Sequence, residues 1–166
     1  MRLFFSAFLG FVAIVCGSLA NIAAMWLLFG WQFAFAGAGP HASAAWCCGM
    51  LAGGSAACLV GGFLCRVFAG EKAVAAGRLI VGLALMLAIS GIAMGKSASE
   101  ALRPDGKQVA NLSFMEASEY AVSPLWFHLA NIVLAPSCAW CGGRLAVFRA
   151  SAELLISVDQ AFPCFE

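Results

Sequence analysis

The sequence predicts an all-α integral membrane protein whose four transmembrane helices form a bundle. Of its 166 residues, 63% are hydrophobic and only 10% are charged, and the mean hydropathy is +0.95. Soluble domains carry about a quarter charged residues, so this chain has too few charges to cover a surface in water. Four apolar segments, about 3–29, 44–65, 74–95 and 124–148, reach the ~20 residues that a helix needs to cross a hydrocarbon core.

Each apolar segment has features that support its assignment as a spanning helix. The first has no charged residue from Leu3 to Phe29, a run longer than the ~7–15-residue core of a signal peptide, so we expect a retained helix. The second is rich in glycine, and the third has Arg78 near its start. The fourth is uncharged from Pro124 until Arg144, which predicts a basic anchor at its cytoplasmic end.

The distribution of basic residues predicts the orientation of the helices, because short cytoplasmic loops are enriched in Lys and Arg. The side that holds both termini has six of them: Arg2, Arg66, Lys72, Arg78, Arg144 and Arg149. The other side has three: Lys96, Arg103 and Lys107. We therefore expect both termini in the cytoplasm, a transmembrane domain over 1–149 with an outer loop over 96–123, and a cytoplasmic tail over 150–166.

Composition also limits the partners. The net charge of +1 gives no support for binding to nucleic acid, and the lipid bilayer is the expected partner. Tryptophan rings prefer the membrane–water interface. Four tryptophans fall at the predicted outer interface: Trp26, Trp31, Trp46 and Trp126.

Rows of small residues predict how the helices pack, because lipid gives no hydrophobic drive and close backbone approach must replace it. Small residues recur at steps of four on three of the helices: Gly49, Gly53, Ala57 and Gly61 on the second, Gly91 and Gly95 on the third, and Ala135, Ala139 and Gly143 on the fourth. We favour packing within one chain. The alternative is a seam with a second copy or with another membrane protein.

Polar residues inside a membrane are functional candidates by default. Here they include Asn21, His128 and Asn131, and no acid or base lies near the midplane, which argues against a proton-coupled pump. An interhelical hydrogen bond between Asn21 and Asn131 would stabilise the packing by ~0.6 kcal/mol. Pro136 is interpreted as a packing kink, and the alternative is a broken helix that lines a cavity. We expect no metal site, because the histidines and cysteines lack ligand spacing.

Cys138-x-x-Cys141 has the spacing of a redox dithiol or of half a zinc site. Counting from Pro124 at ~1.5 Å per residue puts Cys138 ~21 Å from the outer edge, on the wrong side for outer-face thiol chemistry. A helix that restarts after Pro136 would put Cys138 in a first turn, a position that favours a reactive thiol. We favour a structural role for both cysteines over a redox role.

The fourth segment, SPLWFHLANIVLAPSCAWCGGRLA (Ser123–Ala146), resembles the last helix of a family of small four-helix bacterial inner-membrane proteins. The likeness extends over about 44–95 and 123–149, and the outer loop over 96–123 looks like an insertion. The resemblance implies a bacterial cytoplasmic membrane and a non-redox role for Cys138 and Cys141. The family has no assigned activity that could be transferred.

These observations favour a non-enzymatic multi-pass membrane protein with a structural or accessory role and no cofactor. One alternative is a small transporter or channel subunit that acts as an oligomer, and it requires a polar cavity near Asn21, Asn131 and Pro136. The other is a membrane thiol oxidoreductase that uses Cys138 and Cys141. A fully packed interior would exclude the transporter.

Overall fold

The computed structural model describes residues 2–35, 41–101 and 121–161, with side chains at 2–35, 41–70, 72–92 and 121–148. It contains four long α-helices: α1 Arg2–Ala34, α2 Ala44–Ala69, α3 Ala73–Ala101 and α4 Leu125–Ala161. Each is long and apolar enough to cross a membrane, which is the arrangement of a multi-pass membrane protein. The prediction of an all-helical chain with four such helices is confirmed. Most of the predicted outer loop, 102–120, lies outside the described residues.

The first helix bends where its apolar run ends. Gly30 has φ 66° and ψ −169°, which is not helical. Glycine adopts positive φ without steric cost, so this position breaks the helical path after Phe29. The helical residues before Gly30 extend ~40 Å at ~1.5 Å per residue, more than the ~30 Å hydrocarbon core requires.

A serine joins the end of α1 to the start of α2. Ser43 is the N-cap of α2, and its hydroxyl oxygen accepts a hydrogen bond from the Trp46 amide at 3.0 Å. The same hydroxyl donates to the Phe33 carbonyl, and the Ser43 amide donates to the Ala34 carbonyl at 2.8 Å. Both ends of this connection are therefore fixed by one residue that satisfies free backbone groups at two helix termini.

The fourth helix is continuous at Pro136, unlike the broken-helix alternative, and it is longer than predicted. It passes through Pro136 without a break, and Ser137 donates a hydrogen bond to the Val133 carbonyl at 2.6 Å beside it. It also continues past Phe148 to Ala161, so most of the predicted 150–166 tail is helical. The 37 residues of α4 extend ~55 Å, well beyond a hydrocarbon core, because helix propensity does not end at the membrane surface.

The helices pack with α2 between α1 and α4, and α3 contacts all three. The short 3₁₀ turn Gly70–Lys72 joins α2 to α3. We call the end that holds this turn the turn end, and the opposite end, near Ser43 and Pro124, the loop end. The main core cluster lies toward the turn end: Ala7, Ile14, Cys58, Cys65, Ala69, Ala76, Ile80, Ala84 and Ala139.

The outer surface of the helices is strongly apolar. Large hydrophobic side chains are exposed on every helix, among them Phe4, Phe8, Leu27, Val67, Met86, Val133 and Phe148. At the loop end, three tryptophans pack around Ala34 and Phe35: Trp26, Trp31 and Trp46. An apolar surface with tryptophans gathered at one end is typical of a chain surrounded by lipid.

Candidate functional site

A cavity of ≈ 210 Å³ lies among the four helices on the loop-end side of the core cluster, and it is partly open. All four helices contribute to its wall: Ile14 and Ser18 from α1, Gly54 and Cys58 from α2, Ala84, Leu87, Ala88 and Gly91 from α3, and Phe127, His128, Asn131 and Ala135 from α4. A site enclosed by helices from every part of the chain can change its shape when any one of them moves.

Small residues that meet no neighbour create the space. A Cβ atom built at Gly54 or at Gly91 would have nothing within 4 Å. On α3 the cavity wall includes Ala84, Ala88 and Gly91, which share one face because residues three and four apart are neighbours on a helix. Leu87 is the one large side chain that α3 contributes to the wall among the described residues, and the three small residues beside it leave space between α3 and the other helices.

Three polar side chains line the cavity, and all three are half-buried: Ser18, His128 and Asn131. His128 and Asn131 are three residues apart on α4, so they lie on the same face. In the described part of the chain, none of the three forms a hydrogen bond. Together they offer an amide, an imidazole and a hydroxyl, which supply both donors and acceptors.

The two asparagines have different environments. The Asn21 side-chain nitrogen donates to the Gly49 carbonyl at 3.5 Å and lies 3.7 Å from the Met50 sulfur. A Cβ atom at Gly53 would collide with the Asn21 amide, so that amide occupies the space a side chain would fill. The predicted hydrogen bond between Asn21 and Asn131 is therefore replaced by one to the backbone of α2. Asn131 faces the cavity instead.

The row of small residues predicted on α2 lies against α1. A Cβ at Gly61 would lie 2.6 Å from the Gly10 carbonyl oxygen, and one at Gly17 would lie 2.9 Å from the Ala57 Cβ. A Cβ at Gly49 would meet the end of the Met25 side chain. The two backbones approach closely along this seam because the α2 residues are small and leave room for the α1 backbone and its larger side chains.

The α2–α4 contact includes Ala139 of the predicted row together with Gly142, which is outside that row. Cβ atoms at Gly62 and Gly142 would collide with the backbones of Ala139 and Leu59. A Cβ atom at Gly143, which belongs to the predicted row, would lie 3.4 Å from the Cδ atom of Arg66. Both glycines of α4 therefore have atoms of α2 as their nearest neighbours, and Gly142 makes the closer backbone contact.

On α3, the predicted packing residues do not form a close seam. Gly91 borders the cavity and has open space around it, so the expected close approach is absent there. Gly95 lies outside the residues whose side-chain surroundings are described. Ala135 on α4 lines the cavity and also packs against the core cluster. At Gly91 the physical reason is that no atom of a neighbouring helix lies within 4 Å of the Cβ position.

The CxxC cysteines lie on an uninterrupted helix. Because α4 continues through Pro136, Cys138 is not in a first turn, and the observation that would have favoured a reactive thiol is removed. Cys138 packs against the core cluster that contains Cys58, whereas Cys141 is exposed. Within the described residues, every cysteine is free and no group of three His, Cys, Asp or Glu side chains could hold a metal.

A comparison of the chain with protein-family models finds no match, and comparisons with curated proteins and with solved structures find none either. The resemblance to small bacterial four-helix membrane proteins stays a prediction. The role of the cavity therefore has to be argued from its own lining.

Proposed function

We propose that this chain is a small transporter subunit that binds a neutral, hydrogen-bonding solute in the cavity among its four helices. This reverses the order expected from the sequence, where a structural or accessory role was favoured. The observation that carries the proposal is the cavity itself, lined by Ser18, His128 and Asn131 with no hydrogen bond among the described residues.

Polar groups without partners inside a membrane domain argue for a ligand. A polar group taken out of water without a hydrogen bond costs free energy, and membrane-embedded polar residues are usually retained for function. The predicted hydrogen bond between Asn131 and Asn21 does not form, and Asn21 bonds to the α2 backbone instead. A solute that supplies hydrogen bonds to Ser18, His128 and Asn131 would recover that cost, or water would do so between binding events.

The lining also selects the chemical class of the solute. Among the described residues, no acidic, lysine or arginine side chain lines the wall, so these residues would give an ion no counter-charge. Ile14, Leu87 and Phe127 make the rest of the wall apolar. We therefore expect an uncharged molecule with one polar end, small enough for a cavity of ≈ 210 Å³.

The position of the cavity along α4 supports access from one side. At ~1.5 Å per residue, His128 lies ~5 Å from the start of α4 at Leu125, and Ala135 lies ~15 Å from it. Beyond Ala135, the contact of Ala139 with Gly62 leaves no gap between α2 and α4. By the distribution of Lys and Arg, the open side faces away from the cytoplasm.

Solute-driven swelling of proteoliposomes tests the proposal. We expect the purified chain to accelerate swelling for at least one of glycerol, urea and formamide relative to empty liposomes. Gly91→Leu should abolish this by filling the cavity, and Asn131→Leu should reduce it severalfold by removing the amide. Gly82→Leu is the matched control, because Gly82 also has nothing within 4 Å but does not line the cavity.

Two outcomes would contradict the transporter. The first is wild-type protein that swells no faster than empty liposomes with any of the three solutes. The second is Gly91→Leu and Gly82→Leu variants with the same rates as the wild type, because transport would then not pass through this cavity. A structural or accessory role would be the remaining interpretation.

A further inference from the structure

At the turn end, the side chain of Arg66 lies among three helices. Arg66 is in the last turn of α2. One of its terminal nitrogens, Nη1, is 3.9 Å from the position that a Cβ would take at Gly77 on α3, and 3.9 Å from that position at Gly143 on α4. Its Cδ is 3.4 Å from the same position at Gly143. The arginine thus passes between α3 and α4, over two residues that have no side chain.

The guanidinium of Arg66 has a buried donor without a partner. Its Nε atom is shielded from solvent and makes no hydrogen bond. Among the described residues, Arg66 also forms no ion pair. Arginine keeps its charge at any physiological pH, so it cannot relieve the missing contact by losing a proton. A buried charged donor left unpaired costs more free energy than a neutral one, and an anion would remove that cost.

The surroundings of Arg66 favour an anion that comes from outside the helices. Three further basic residues at the turn end are exposed: Lys72 in the turn, Arg78 next to Gly77, and Arg144 next to Gly143. Arg144 stacks over the Trp140 ring with its guanidinium carbon 5.4 Å from the ring centre. Together these charges raise the local positive potential, and the planar guanidinium of arginine suits the paired oxygens of a phosphate group.

We infer that Arg66 is the centre of a phosphate-binding site between α3 and α4, and that the phosphate belongs to the headgroup of an anionic phospholipid. Arg66 as a whole is only half-buried, and the two glycines beside it have no side chain to cover its guanidinium. The exposed apolar side chains at the same end, such as Val74 and Phe148, suit acyl chains. Basic pockets between membrane helices bind anionic headgroups by this chemistry. The site is independent of the solute cavity, because none of its residues lines that cavity.

Thermal unfolding in nanodiscs tests the site with the full chain. We expect the melting temperature to be higher in discs of phosphatidylcholine with phosphatidylglycerol than in phosphatidylcholine alone. Arg66→Gln should lose most of this difference, and native mass spectrometry should show retained phosphatidylglycerol reduced about tenfold. Arg78→Gln and Arg144→Gln are the controls. They remove exposed bases at the same end and should keep most of the difference.

A second variant keeps the test meaningful if Arg66→Gln does not fold. Gly77→Val leaves the arginine in place but puts a side chain beside its guanidinium, where the headgroup phosphate would bind. This variant should therefore also lose the increase in melting temperature that phosphatidylglycerol gives. Gly82→Val, five residues further along α3 in open space, should keep it. Equal stabilisation by phosphatidylglycerol in the wild type, Arg66→Gln and Gly77→Val would overturn the site.

Two further experiments identify the source of the anion. Inorganic phosphate added to phosphatidylcholine discs should not reproduce the stabilisation. If it does, the phosphate site stands and the lipid assignment is wrong. Glu71 is the acid nearest to Arg66 in the sequence. If Glu71→Gln and Arg66→Gln destabilise the protein equally and neither lipid nor phosphate matters, the counter-charge is internal and the proposal is wrong.

Discussion

The turn half and the loop half of the same helices use small residues in opposite ways. Near the turn end, Gly62 and Gly142 allow the backbones of α2 and α4 to touch, and the core cluster leaves little space. Near the loop end, Gly54 and Gly91 face nothing within 4 Å and border a cavity. A small residue therefore gives close packing only where a neighbouring backbone faces it, and otherwise it leaves a void.

The largest expected effect comes from placing the same substitution at two glycines of α2. Gly62→Val should destabilise the protein by about 3 kcal/mol or more, because the new side chain collides with the Ala139 backbone, which cannot rotate away. Gly54→Val should change stability by less than ~0.5 kcal/mol, since it projects into open space. Reversible unfolding in mixed detergent micelles measures both values. Equal losses of unfolding free energy in the two variants would mean that the turn half and the loop half are packed equally tightly.

Alanine substitutions sharpen the comparison, because they should change stability in opposite directions. At Gly10, a methyl group would lie 2.6 Å from the Gly61 carbonyl oxygen and 2.8 Å from the Cys65 Cβ, so Gly10→Ala should cost ~1–2 kcal/mol. Gly91→Ala should stabilise α3 by ~0.5–1 kcal/mol through helix propensity alone. Melting temperatures in one detergent compare them directly. A stabilising Gly10→Ala would show that α1 and α2 can separate at little cost.

The smallest effect concerns the two asparagines. Asn21→Leu should cost ~0.6 kcal/mol, the usual value of an interhelical hydrogen bond, because it removes the donor to the Gly49 carbonyl. Asn131→Leu should cost nothing or stabilise slightly, since that amide has no partner among the described residues. Chemical denaturation of both variants and of the double variant tests this. A coupling energy different from zero between Asn21 and Asn131 would contradict the conclusion that their side chains do not interact.

The prediction of the helices from the sequence was good where membrane length controls the structure. The predicted end of the first spanning segment, Phe29, lies next to the break at Gly30, and α2 starts at Ala44 as expected. The prediction was poor where a helix continues past its apolar segment, as α4 does beyond Phe148. Hydropathy reports the cost of leaving lipid, and it carries no information on whether a helix that has left the membrane continues.

The candidate site could be predicted only in part. Asn131 was singled out because an amide inside a membrane is costly, and that argument needs only the sequence. Ser18, Gly54 and Phe127 were not recognised as parts of the site. They come from α1, α2 and α4 and meet only when the helices are placed. The CxxC motif drew attention by its spacing, but its surroundings depend on the unbroken path of α4 through Pro136.

By itself, the sequence determined that this chain has four helices of membrane length, because composition and apolar run length depend on the solvent and not on neighbours. The tertiary structure alone decided which small residues touch and which leave a cavity. It also decided that Asn21 is paired, that Asn131 has no partner in the described structure, and that Arg66 lies between two glycines. Lipid surrounds all helix faces with the same apolar medium, so only the backbone that approaches a face distinguishes contact from void.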